Sequence, residues 1–469
     1  MKNSVDPSAA ASAGLSKSLG SRHIAMIAMG GVIGAGLFVG SSVAIVHTGP
    51  AAILSYLLAG GIIILVMRML GEMAVAVPGR GSFTEYVRIG LGDRVGFICG
   101  WLYWYFWIVV VAIEAIAGAN LLKPWINLPV WQTGLILQAA LTAVNLFSSR
   151  SYGEFEFWFA SIKVGAILLF IVAALGYACG LGSGAGPTFT NLARPDGFMP
   201  FGFGSVLAGV TTVIFALCGA EIASIAAAES KEPARAVARM GGTVSVRILV
   251  FYVLSIFCVV AVVPWRNIQS GFSPFTATLA QMGVPGAATI MNLIVLTAVL
   301  SCLNSGLYVA SRVLFSLAGR GEAPAGLTAL NSGRVPARAV WLSSLLAYGA
   351  VLTSIVSPTG VFAFLVNASG ATMLFIYLLL ACAQLRLRRR LERERPGALQ
   401  LRMWLFPWAT YLSIAAMLAA LVAMACTPGR ASELWLSLGA LVFAFVCHVI
   451  LVHRQRASAF AADEAHESA

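Results

Sequence analysis

GGVIGAGLFVGSS, residues Gly30 to Ser42, holds Gly30, Gly31, Gly34, Gly36 and Gly40 within one short stretch. Such a cluster is either a phosphate-cradling turn or a place where a membrane helix opens. The turn needs a preceding strand in a soluble α/β unit, and the residues before it, SRHIAMIAMG from Ser21 to Gly30, provide neither. Each glycine lowers helix propensity by about 1 kcal/mol relative to alanine, so a cluster of them at mid-span predicts a helix that unwinds there.

The surroundings fit the second reading. Of 469 residues, 59% are hydrophobic and 10% are charged. The mean hydropathy of +0.89 would force a soluble domain of this length to expose a large apolar surface. Apolar runs of roughly 20 residues, enough to cross about 30 Å of hydrocarbon, recur from Ile24 to His448. The fold class is therefore all-α integral membrane protein, and counting the runs predicts twelve transmembrane helices in a lipid bilayer. No small-residue cleavage site precedes the second run, so the first helix is expected to be retained.

A second weak point lies in the sixth run, FGFGSVLAGVTTVIFALCGAEIASIAAAES from Phe201 to Ser230, at Cys218, Gly219 and Ala220, with Glu221 next. Breaks in the first and sixth spans, about 185 residues apart, are what two inverted five-helix halves require. The implied organisation is a tail at 1–22, a first repeat at 23–181, a second at 202–384, two added helices at 403–453 and a tail at 454–469. Small residues along a membrane helix also permit close contact between helices, so a dimerisation face is the alternative use of the glycines, and the oligomeric state is left open.

Lysine and arginine orient the chain. With the N-terminus inside, the outer loops carry Lys123, Arg194, Arg266 and Arg430, while Arg68, Lys163 and Arg247 lie within spans. The remaining 23 of 30 face the cytoplasm, among them LRLRRRLERER from Leu385 to Arg395. Both termini are then cytoplasmic. Topology accounts for the net charge of +12, and no nucleic-acid partner is implied. Eight cysteines without a CxxC spacing read as apolar fillers of helix interfaces, with no metal site, and no cofactor loop or nucleophile with a base suggests an enzyme.

Unwound backbone in hydrocarbon must line a polar cavity, because each unpaired group costs several kcal/mol. A half-helix beginning near Leu37 would offer amides to a carboxylate, and carbonyls ending near Gly30 and Phe215 would suit an ammonium. A zwitterion satisfies both. Charges inside spans are functional candidates by default. Glu114 is one, its alternative being a protonated structural carboxyl. Glu221 starts a half-helix whose dipole favours its charge, the alternative being a cap alone. Glu229 is an inner gate or a plain interfacial acid. Lys163 either exchanges a proton as access alternates or snorkels to the inner headgroups. Arg68 and Glu72, four apart in MRMLGEMAV, are expected to form an ion pair. The aromatic run from Trp101 to Trp107 would give the cavity one or two rings, with Tyr103 the candidate.

These stretches together resemble a known family. SRHIAMIAMGGVIGAGLFVGSSVAI, MRMLGEMAV, GWLYWYFW, YGEFEFW, GAEIASIAAAESKEP, SCLNSGLYVASRVLFSLAGRGEAP and LRMWLFPW are similar to the amino acid permeases of the amino acid/polyamine/organocation superfamily. GSSVAI and LRMWLFPW point to the branch carrying 4-aminobutyrate (GABA). The resemblance spans Ser21 to Trp408. It implies the five-plus-five inverted repeat and proton-coupled uptake across a bacterial cytoplasmic membrane, with an amino acid and protons as the partners. By matched position, Ile33, Gly34, Ala35 and Gly36 would bind the amino acid backbone, with Phe215 and the turn before Glu221 closing over it. Lys163 would take the place of the cation held by sodium-coupled relatives, next to Gly30, Ser301 and Ser305. Cys218 and Ala35 depart from common family residues and leave the side-chain preference open, with proline, aromatic or other α-amino acids as alternatives. An amino acid sensor that does not transport is the reading from another class.

Overall fold

The computed structural model describes residues 33–79, 82–147, 152–181, 188–193, 196–221 and 244–467. Among them every regular element is helical. Only helices or closed barrels can satisfy their own backbone groups in hydrocarbon. Ten stretches are long and apolar enough to cross a membrane, as an integral membrane protein requires.

The helices in order are α1 (Ala35–Phe38), α2 (Gly40–Thr48), α3 (Ala52–Ala76), α4 (Phe83–Leu91), α5 (Asp93–Leu122), α6 (Val130–Phe147), α7 (Tyr152–Ala178) and α8 (Gly202–Leu217). Next come α9 (Val244–Val262), wound as a π-helix over Ile248–Leu254, and α10 (Pro274–Gln281). The last five are α11 (Ala287–Gly319), α12 (Ala337–Leu352), α13 (Pro358–Glu394), α14 (Trp408–Cys426) and α15 (Ala431–Glu467). Proline in the first turn and a serine hydroxyl behind it start α10 and α13: Ser273 accepts from Thr276 N–H at 3.4 Å, and Ser357 from Gly360 N–H at 3.2 Å.

Helix α5 is the axis of the bundle, buried over most of its length and packed against α6, α11, α12 and α13. Helix α8 lies between α2, α3, α13 and α14. The end of the bundle carrying Arg386 to Arg395 is called inner here, and the opposite end outer. At the inner end Arg88 of α4 pairs with Glu322 beyond α11 at 2.5 Å and with Glu85 at 3.1 Å, and Arg320 also pairs with Glu85. Burial opposes the charge on Arg88, but the carboxylates of Glu322 and Glu85 outweigh it and hold the guanidinium above its usual range.

Two expectations are corrected. Arg68 does not pair with Glu72. Its Nε and Nη2 donate to the Arg402 carbonyl at 3.0 and 2.7 Å, and its guanidinium lies 5.0 Å from the Trp404 ring centre. Glu72, 1% exposed, pairs instead with Arg388 and accepts from Gln384 Nε2 at 2.8 Å and Met403 N–H at 2.5 Å. A carboxylate this deep needs donors that come inward to it, whereas Arg68 is long enough to reach the edge. The cysteines also divide: Cys99, Cys218, Cys258 and Cys302 are buried, but Cys179, Cys382 and Cys426 face outward.

Candidate substrate and coupling site

Two helix breaks meet inside the bundle. At the first, Ile33 and Gly34 are not helical and α1 begins at Ala35, two residues before the expected Leu37. The shift has a through-space cause. Glu114 of α5 accepts from Ala35 N–H with both carboxylate oxygens, each at 3.0 Å, and so caps the half-helix from outside. The amides of Gly36 and Leu37 also lie in this first turn, with no carbonyl behind them in the helix.

At the second break α8 ends at Leu217, Cys218 is extended, and helix resumes at Ala220. Gly219 has φ +98°, a left-handed conformation that favours glycine. Glu221 folds back over this turn. Its carboxylate accepts from Gly219 N–H at 2.9 Å, from the Tyr377 hydroxyl at 3.2 Å and from the Tyr103 hydroxyl at 3.3 Å, joining the break to α13 and α5. The Cys218 thiol donates to the Ile214 carbonyl at 3.1 Å.

The breaks touch each other. A Cβ on Gly36 would sit 2.6 Å from Ala216 Cα and 3.3 Å from the Phe215 ring. One on Gly34 would sit 2.5 Å from Cys302 Cβ and 2.6 Å from Glu114 Oε1. The start of α1 therefore stands beside the end of α8.

A polar line leads away from the first break. Glu114 and Cys302 flank Gly34, and Ser301, next to Cys302 on α11, accepts from Lys163 Nζ of α7 at 3.1 Å. Lys163 and Glu114 are 0% and 1% exposed. Lys163 therefore points into the bundle, not to the headgroups. Ser305 follows one turn on along α11, also buried.

Ile33, Gly34, Ala35, Gly36, Tyr103, Glu114, Phe215, Cys218 and Glu221 are thus gathered around the breaks, with Lys163 and Ser301 behind them. Gly30 and Glu229 lie outside the described residues. Sequence reasoning missed Tyr377 and Cys302. A lone tyrosine in FIYLLL carries no signal, whereas Cys302 is announced only by its neighbour Ser301.

The site is closed. Ile33 and Glu221 are 0% exposed, Cys218 5% and Phe215 6%. A cavity of about 640 Å³ opens instead at the outer end, lined by Asn120, Lys123, Trp125, Phe272, Thr276 and Asn292 among others.

Known proteins match the chain over nearly its full length. Residues 23–458 match the family model described as amino acid permease. The chain is 48% identical over 445 residues to a gamma-aminobutyric acid permease of Bacillus subtilis, covering 94% of each. It is 44% identical over 443 residues to a gamma-aminobutyric acid permease of Escherichia coli, covering 93% of this chain and 94% of the relative. An aromatic amino acid transport protein of Corynebacterium glutamicum is 39% identical over 418 residues, with 88% and 89% covered.

Proposed function

The chain belongs to the amino acid permease family, and from that premise we propose that it imports GABA or a closely related amino acid by alternating access, driven by protons. The observation that carries this reading is the contact of the two breaks, with Gly36 against Ala216 and Glu114 on Ala35 N–H. A substrate carboxylate would take the amides of Gly36 and Leu37, and its ammonium the terminal carbonyls of α8 beside Phe215, with Cys218, Tyr103 and Glu221 enclosing the chain between them. Relatives named for gamma-aminobutyric acid at 44% and 48% identity favour GABA over the aromatic substrates of a relative at 39%.

Coupling runs along the polar line. A proton on the cluster of Lys163, Ser301 and Glu114 changes how firmly Glu114 holds Ala35, and so which arrangement of the first helix is stable. A bias of a few kcal/mol between arrangements is enough to shift the population. In the same reading Gly30 and Ser305 also serve coupling, and Glu229 serves as the inner gate.

The architecture proposed is twelve helices. Counted by the apolar runs of the sequence, the runs 23–46 and 51–77 are two crossings that meet at the turn of Gly49, and the run 202–228, which holds α8, is another beside the nine remaining stretches. Residues 23–181 and 202–384 form the inverted halves, 403–453 are additions, and the tails 1–22 and 454–469 lie on the cytoplasmic side of a bacterial inner membrane. No cofactor is required beyond the proton gradient.

Purified protein in proteoliposomes should take up labelled GABA, with unlabelled GABA competing best in a panel that includes proline and phenylalanine. Uptake in which proline or phenylalanine competes better than GABA assigns the site to an α-amino acid instead.

A further inference from the structure

Helix α15 stands outside the proposed repeat, yet its start grips the outer half of the broken helix α8 at two points. Arg430, 4% exposed, donates from Nη1 to the Ala208 carbonyl at 3.2 Å. Glu433, 7% exposed, accepts at Oε1 from Asn367 Nδ2 at 2.9 Å, and Asn367 Oδ1 accepts from the Thr212 hydroxyl at 2.5 Å. Ala208 and Thr212 are four apart and share one face of α8. Asn367 is fully buried on α13, and the carbonyl after it, Ala368, accepts from Ser437 of α15 at 2.7 Å. The bonds run one way, from hydroxyl to amide to carboxylate, because the Asn367 amide accepts at Oδ1 while it donates from Nδ2.

The grip leaves its own charges incompletely met. Glu433 Oε2 and Arg430 Nε and Nη2 are buried without a hydrogen-bond partner among the described residues. Their residues are three apart in the chain. The hold on α8 is the arrangement present when the helix breaks are buried.

We propose that Glu433 is a positioning residue of the transport cycle: through Asn367 and Thr212, and with Arg430 on Ala208, α15 holds the outer half of α8 in the closed arrangement, and release of that hold is a step in opening. Its meaning for transport rests on the permease reading, but its test does not. Cys218 sits at the break itself and serves as a native reporter, once Cys179, Cys382 and Cys426 are replaced by alanine. The rate at which a small charged thiol reagent modifies Cys218 in the purified full-length protein is followed by peptide mass spectrometry. Thr212→Val and Glu433→Leu each cut the relay, and both should label about fivefold faster or more, while Glu433→Gln, which still offers Asn367 an acceptor, should stay within about twofold of the parent. The Thr212→Val/Glu433→Leu double variant should label no faster than the faster single one, because both cut the same relay. Unchanged rates in Thr212→Val and Glu433→Leu, both near-isosteric or apolar and checked as monodisperse, overturn the proposal. So does a Glu433→Gln rate equal to that of Glu433→Leu. Absence of GABA uptake by the parent protein would instead count against the permease reading and leave the labelling comparison standing.

Discussion

Gly34 has no room for a single carbon. Its added Cβ would stand 2.5 Å from Cys302 and 2.6 Å from the Glu114 oxygen that caps α1, so Gly34→Ala must push apart α1, α5 and α11 at the site. Initial uptake of labelled GABA should fall about 100-fold or more in that variant, in keeping with the sensitivity of binding geometry to shifts of an ångström. Gly61→Ala, whose Cβ meets nothing within 4 Å, should transport normally. Near-normal uptake by Gly34→Ala would mean that the contact with Cys302 and Glu114 is not part of the site. Lys163→Ala removes the ammonium that donates to Ser301 and should abolish uphill uptake while exchange of labelled for unlabelled GABA continues. Equal loss of both would make Lys163 a structural residue. Lys163, Glu114 and Glu221 were legible in the sequence because a charge inside an apolar run is costly and therefore rare. Tyr377 was not, since one tyrosine in an apolar helix is ordinary packing until Glu221 is seen beside it.

Among the elements, the inner end of α3 is fixed by contacts that lie far away in the chain. Glu72 meets Arg388 of α13, 316 residues on, and the amide of Met403 in the segment before α14. Spacing within a helix guarantees that Arg68 is near Glu72, but says nothing of which donor can reach a carboxylate that is 1% exposed. That misreading marks the limit of local pattern. The segment LRMWLFPW, in the sequence only a branch marker, supplies the Met403 amide, the Arg402 carbonyl that holds Arg68 and the Phe406 ring 5.1 Å from the Arg388 guanidinium. Glu72→Ala leaves that guanidinium with Glu392 alone, at 2.8 Å, and takes the acceptor from Gln384 Nε2 and the Met403 amide. Removal should cost about 3 kcal/mol or more, seen as a lowered unfolding temperature in detergent, whereas Arg68→Ala, at a partly exposed position, should cost about 1 kcal/mol or less. A Glu72→Ala protein as stable as the parent would remove the ion pair from the account of the fold. The breaks themselves were readable from Gly34, Gly36 and Gly219. Where α1 restarts was not, because its cap comes from Glu114 on another helix.

For the whole molecule, membrane insertion followed from composition alone, and the meeting of the two breaks needed the fold. Both helix breaks are buried in this structure, with Glu221 bonded to α5 and α13 and Arg430 at the start of α15 bonded to α8. In the function proposed above, breaks buried in this way suit a carrier that exposes its site alternately rather than a continuous pore. What distinguishes a driven carrier from a passive one is the energy source, and in the function proposed above that role falls to a proton acting on the cluster of Lys163, Ser301 and Glu114. The most direct measurement is the accumulation of labelled GABA in proteoliposomes under an inward proton gradient, before and after a protonophore. The account predicts that GABA rises above its external concentration and that the accumulated label is lost when the gradient collapses. Accumulation that survives the protonophore, or that needs sodium in place of a proton gradient, would contradict it.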